Sequence, residues 1–155
     1  MIILIINKMK NQFKKIQGFT LLELLVVIGI IAILAGVVIV ALNPGRQFAQ
    51  ARDAQRWSNV NTILNAIGQN MADNRGNWTC AAGVLPATTT QLGTGTGNYN
   101  IDSCIVPTYV SIMPLDPSTG TATSTGYNVI YDSTTRRVTI SAIAPEITTP
   151  ISVTR

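Results

Sequence analysis

From Phe19 to Leu42 the chain runs through 24 residues of which only Thr20 and Glu23 are clearly polar, with Gly29 and Gly36 interrupting the bulky side chains. At about 1.5 Å of rise per residue, a helix of this length spans about 36 Å, which exceeds a hydrocarbon core of about 30 Å. A secretory signal carries an apolar stretch of about 7 to 15 residues followed by a small-residue cleavage site. This block is longer, and its charged segment comes directly before it. The spacing and composition predict a membrane-spanning helix, and the 46% apolar content describes a chain built for two solvents, lipid and water.

Charge follows the same division. The formal net charge is +4, yet all four lysines (Lys8, Lys10, Lys14 and Lys15) precede Gly18. From Phe19 onward seven arginines balance seven acidic residues. A basic cluster in front of an apolar helix reads as a cytoplasmic topology signal, and without it the electrostatic case for a nucleic-acid partner is gone. The sequence has no histidine, which removes the commonest general base and the commonest metal ligand. No catalytic residue, no metal and no cofactor is expected.

After Leu42 the length leaves room for one domain. Asn43-Pro44-Gly45 breaks the pattern, because proline lacks an N–H and its ring crowds the preceding turn. Helical periodicity then resumes from Gln47 to Met71, with Trp57, Val60, Ile63, Leu64, Ile67 and Met71 on one face. The opposite face, carrying Arg52, Asp53, Arg56, Asn59 and Gln69, is expected to meet solvent or neighbouring subunits. Asn74, Arg75 and Gly76 provide a stop.

Residues 77–97 show no sustained period and are rich in Gly, Thr and Ala, which predicts a long loop. Cys80 and Cys104 lie near its two ends and would staple it if they pair. Two cysteines cannot fill a four-ligand zinc site, and in an exported, oxidising compartment they favour a disulfide. Further on, 127–131 and 137–143 have strand composition and join at 132–136, predicting a hairpin; another short strand is expected at 109–113. The resulting fold class is α+β. A long N-terminal helix, with a transmembrane half at 19–42 and an amphipathic half at 43–76, packs on a small antiparallel sheet within a β-rich head at 77–155.

The boundary Lys14-Lys15-Ile16-Gln17-Gly18-Phe19-Thr20-Leu21-Leu22-Glu23 resembles the N-terminal signature of type IV pilins and of the pseudopilins of type II secretion systems. The resemblance implies a leader at 1–18 removed after Gly18, a new N-terminus at Phe19 that is N-methylated, and a role for Glu23 in assembly. It implies prepilin peptidase, inner-membrane assembly machinery and identical or homologous pilin subunits as partners, with membrane lipid before assembly and no nucleic acid evident. The head would lie outside the cytoplasm. The expected function is a structural subunit of a type IV pilus-like filament, and the alternative is a pseudopilin; a membrane-tethered enzyme or binding module is a third class, for which Gly18-Phe19 followed by Glu23 would serve no purpose. Pilin leaders are generally short and basic, whereas this chain begins Met1-Ile-Ile-Leu-Ile-Ile6; a start at Met9 would give a ten-residue leader.

Glu23 itself admits two physical readings. A carboxylate in hydrocarbon costs about 2.5 to 3.5 kcal/mol at the bilayer centre. Near the helix start it can snorkel toward water and the positive end of the helix dipole, or it can pair with the Phe19 amine that cleavage creates on the same or an adjacent subunit. Elsewhere, Asp102, Asp116 and Asp132 lack calcium-loop spacing and read as solvated turn carboxylates. Arg136-Arg137 reads as a solvated hairpin tip, and Trp57 and Trp78 as core or loop-anchoring aromatics. Asn77-Trp78-Thr79 fits a glycosylation sequon, a short pattern that recurs by chance.

Overall fold

The computed structural model describes residues 18–155. Of the expected leader, residues 1–17 lie outside the described residues. The chain divides into two compact units, one ending at Asn43 and the other running from Pro44 to Arg155.

In the first unit, helix α1 (Leu21–Leu42) has 22 residues and no buried side chain. Its mean hydropathy reaches 3.3, so it is long and apolar enough to cross a membrane. The helix ends at Asn43, which adopts a left-handed φ of 44°, a conformation that Asn tolerates better than most residues.

The second unit begins with helix α2 (Pro44–Asp73). Proline at the first helical position loses no hydrogen bond, because the first N–H groups of any helix are unpaired. Beyond Asp73 the chain turns left-handed at Arg75 and Gly76, and the Gly76 N–H donates to the Met71 carbonyl at 2.7 Å. The expected stop is where the sequence places it.

The sheet is antiparallel in the order β1 (Thr90–Gln91), β2 (Tyr127–Asp132), β3 (Arg137–Ala142), β4 (Ser152–Thr154). The predicted hairpin is β2–β3, in register from Tyr127 opposite Ala142 to Asp132 opposite Arg137. Helix α2 packs on β3 and β4. Val60, Ile63, Leu64 and Ile67 from the helix meet Tyr127, Val129, Val138 and Ile140 from the sheet in one buried core. A short helix, α3 (Asp102–Ile105), contributes the fully buried Ile105.

Three sequence expectations are corrected. No strand forms at 109–113: the N–H groups of Tyr109 and Val110 both donate to the Ile105 carbonyl, at 2.8 and 3.1 Å, and so continue the turn that closes α3. The long loop at 77–97 contains β1, whose two residues pair with Val129 and Asn128, and it buries Leu85 and Leu92.

The third correction concerns charge. Asp53, Arg56 and Asn59 do not face solvent; their exposures are 2%, 0% and 8%. Asp116 is likewise buried at 4%, whereas Asp102 and Asp132 are exposed as expected. The Arg56 guanidinium donates to Asp116 at 2.6 Å, to Asp53 at 2.7 Å and to Glu146 at 2.9 Å, and to the Ser118 hydroxyl at 2.6 Å. Arg52 closes the cluster with a fork onto Glu146 at 2.5 and 2.7 Å. Asn59 donates to the Leu115 carbonyl and the Tyr127 hydroxyl. Each buried donor and acceptor among the described side chains has a partner, which is the condition under which burying charge is tolerable.

Asp53 also receives the backbone N–H groups of Glu146, Ile147 and Thr148 at 2.7–3.2 Å, tying the segment before β4 to the helix. Burial alone would push its carboxyl up, but those N–H groups and Arg56 hold it well below the usual carboxylate range. Burial opposes Asp116 in the same way, and Arg56 with the Ser118 and Thr119 N–H groups overcomes it. Two glycines let the backbone approach this residue: a Cβ at Gly120 or Gly126 would collide with Asp116, and Gly126 has a φ of 86°.

The Cys80–Cys104 disulfide, with Cα atoms 5.2 Å apart, anchors the loop to α3. Asn70 of α2 reinforces it by donating to the Thr79 and Cys104 carbonyls and accepting the Thr79 N–H. Trp57 packs at the edge of the core; the Trp78 indole N–H donates to the Tyr99 hydroxyl, which donates to the Gly83 carbonyl, both at 2.8 Å. Both aromatics fill the structural roles expected of them.

Candidate functional site

The candidate site lies where the chain enters α1. Gly18 is exposed, and a Cβ built on it would meet nothing within 4 Å. Phe19 is 75% exposed. The residues on both sides of the Gly18–Phe19 peptide bond are therefore exposed.

Thr20 is the N-cap of α1, in extended conformation with φ −81° and ψ 150°. Its hydroxyl accepts the Glu23 N–H at 3.2 Å, while the Glu23 carboxylate accepts the Thr20 N–H at 3.4 Å and the Thr20 hydroxyl at 3.4 Å. This is a capping box, in which two N–H groups left over at a helix start are satisfied reciprocally. It also places a negative charge where the helix dipole is positive. Sequence reasoning missed the role of Thr20; the signal was present, since Thr20-Leu-Leu-Glu23 is the Ser/Thr-x-x-Glu pattern immediately before an apolar run. Glu23 is thus locally satisfied by Thr20, and its side chain remains exposed.

Along α1 each residue is exposed, including Leu21, Val40 and Ile33 at 82%, 83% and 70%. So much apolar surface is stable only in lipid or against other apolar helices. Gly36 leaves a shallow hollow lined by Ala32, Ile33, Val37, Val40 and Ala41, a place where a side chain from another helix could seat. Among the described residues no cluster of three or more His, Cys, Asp or Glu has the geometry of a metal site.

An exposed Gly18–Phe19 bond, a capped Glu23 and a bare apolar helix thus precede the α+β head in the chain. Residues 13–39 match the prokaryotic N-terminal methylation motif, the hallmark of type IV pilin and pseudopilin precursors. That match covers Gly18, Phe19, Thr20 and Glu23 together with most of α1. The pilin-type family that this motif marks is a structural one. No curated protein and no solved structure matches the chain.

Proposed function

We propose that this chain is the precursor of a structural subunit of a type IV pilus-like filament and is not an enzyme. Prepilin peptidase cleaves between Gly18 and Phe19 and methylates the new Phe19 amine; α1 holds the mature subunit in the inner membrane, and Glu23 then guides docking of α1 among identical or homologous helices. The head, closed by its disulfide, lies outside the cytoplasm. The observation that carries this reading is the coincidence of the methylation motif at 13–39 with an apolar helix none of whose residues is buried. A mere membrane anchor would need the second feature and not the first.

Mass spectrometry of the mature protein tests the reading. The expected N-terminus is Phe19 carrying one added methyl group; an N-terminus elsewhere, or an uncleaved chain in cells that process other prepilins, overturns it. Long extracellular filaments containing this chain are the expected assembled form. A pseudopilin would instead reveal itself by enzymes trapped in the periplasm on deletion of the chain.

A further inference from the structure

Among the described residues every aromatic ring is buried or half-buried except those of Phe19 and Phe48, which are 75% and 65% exposed. The two stand at opposite ends of α1 in the chain, one just before Leu21 and the other a short way past Leu42. Single exposed apolar residues are ordinary on a protein surface. The placement of these two is not, because aromatic side chains concentrate at the two faces of a bilayer, flanking the segment that crosses it.

The start of α2 is free to meet such a face. Burial in the head begins at the half-buried Ala49 and the buried Asp53, whereas Pro44, Gly45, Arg46, Gln47 and Phe48 are all exposed. None of these five belongs to the core or packs against it. The Phe48 ring is therefore not held by the head, and the head does not need it for packing.

Tether length and charge point to the same occupant. From Leu42 to Phe48 the path is two peptide steps and four helical rises, at most about 14 Å. Headgroups add about 5 to 7 Å on each side of the hydrocarbon, and a helix lying in that layer sinks its apolar side chains about 5 to 10 Å. Between Glu23 and Asp53 the charged residues are Arg46 and Arg52, and Arg52 is held by Glu146. No carboxylate in this stretch would have to approach lipid phosphates, and the Arg46 guanidinium matches them.

We propose that the first turns of α2 dock on the lipid headgroup layer, with the Phe48 ring at the boundary with the acyl chains and Arg46 at the phosphates. The inference rests on the reading of α1 as a membrane anchor and goes beyond it. An anchor alone leaves the head on a free tether, whereas a docked turn fixes its height above the bilayer before a subunit enters a filament.

The test uses the full chain, one copy per nanodisc of phosphatidylethanolamine and phosphatidylglycerol. A nitroxide is attached in turn to Val40→Cys, Gln47→Cys and Ile112→Cys; the native cysteines are closed in their disulfide and do not react. Relaxation by oxygen, which enters the acyl region, is compared with relaxation by a water-soluble nickel chelate. The ratio should be highest at Val40, intermediate at Gln47 and aqueous at Ile112, an apolar residue of the head that is 77% exposed. Adding Phe48→Ser should shift the Gln47 ratio to the Ile112 value and leave Val40 unmoved, and Phe48→Trp should keep the wild-type ratio. A Gln47 ratio equal to that of Ile112, with Val40 shielded, overturns the docking and leaves the anchor standing. An aqueous Val40 overturns the anchor and the docking together. A Gln47 ratio that Phe48→Ser does not change shows proximity by tether alone and overturns the proposal, as does shielding that arises only with several copies per disc, which would make Phe48 a contact between subunits.

Discussion

Arg56 is the residue on which the head's electrostatics converge. Its side chain has no exposed surface, and it touches three carboxylates that come from α2, from the turn at Asp116 and from the segment before β4. Those partners, Asp116 foremost, push its guanidinium further toward the charged form. A buried pair in a polar setting adds little net stability over an apolar replacement of the same shape, but removing one partner strands the others and costs about 3 to 5 kcal/mol. Arg56→Met should therefore destabilise the head by about that amount at neutral pH, followed through the fluorescence of Trp57 and Trp78 in denaturant; a loss below about 1 kcal/mol would show that the carboxylates are adequately held by their N–H donors. The same cluster sets the acid response. Glu146 is lowered from 4.5 to about 2, by Arg52 first and Arg56 second, and Asp53 and Asp116 are also lowered from 3.8. Carboxyls with depressed folded-state values bind fewer protons folded than unfolded, so their contribution is complete above the unfolded values and disappears as the pH falls through the folded ones. Stability should be flat above about pH 5 and decline from about pH 4.5 downward, and Arg56→Met should weaken that decline. An acid-independent denaturation midpoint between those limits and about pH 2.5 would mean that the cluster is not linked to folding.

At the scale of elements, α2 shows what sequence could and could not reveal. Its buried positions include Asp53, Arg56, Val60, Ile63, Ile67 and Asn70, a single stripe at spacings of three and four. The apolar half of that stripe was legible. The other half, being charged, was assigned to the outside, because its partners Asp116 and Glu146 lie 60 and 90 residues from Arg56 in sequence, and local periodicity carries no information about them. The β2–β3 hairpin was legible because two six-residue strands meet at a local turn, whereas β1 has two residues and acquires strand geometry only by pairing with β2. Tyr109 to Met113 has strand composition, but its first N–H groups are engaged by the Ile105 carbonyl of α3. At the N-terminus, Gly18, Phe19 and Glu23 stood out through the motif and Thr20 did not, because a threonine in an apolar run looks like a tolerated polar residue until its hydroxyl is seen to cap the helix. The disulfide joins elements in the opposite way, by covalent closure. It encloses a segment with a sequence separation of 24, for which loop entropy gives on the order of 3 kcal/mol. Cys80→Ser/Cys104→Ser should lower the denaturation midpoint of the head by a corresponding amount. Because Asn70 holds both ends of the loop independently, the double variant should still fold; an unchanged midpoint would show that Asn70 and the buried Leu85 and Leu92 suffice without the covalent link.

For the whole molecule the decisive contrast is between a head whose polar groups are internally satisfied and a helix that satisfies only its own backbone. The second unit buries a core and gives each charge of its cluster an ion-pair partner without help, whereas α1 leaves its apolar surface for lipid or for other helices. Transfer from one apolar environment to the other changes little in hydrophobic energy, so the step needs a directional interaction, and Glu23 is the only ionisable side chain between Phe19 and Leu42. In the uncleaved chain Glu23 has Thr20 as its partner, through contacts of 3.4 Å, which are at the weak end for a carboxylate. An ammonium at Phe19, created by cleavage, would compete favourably for the same oxygens. On this account Glu23→Ala should spare membrane insertion and cleavage, since removing a charge eases transfer into lipid, yet reduce filament yield at least about tenfold, the effect of about 1.4 kcal/mol lost at each docking step. Glu23→Gln separates the contributions: its amide oxygen can still accept the Thr20 N–H and preserve the cap, but it carries no charge for the amine. Filament yield relative to mature subunit in the membrane is the measurement. Failure of both variants fits an ion pair with the Phe19 amine, whereas success of Glu23→Gln with failure of Glu23→Ala would assign the role to the cap. Wild-type yield from both would leave Glu23 as a residue that merely reaches toward water at the head of a membrane helix.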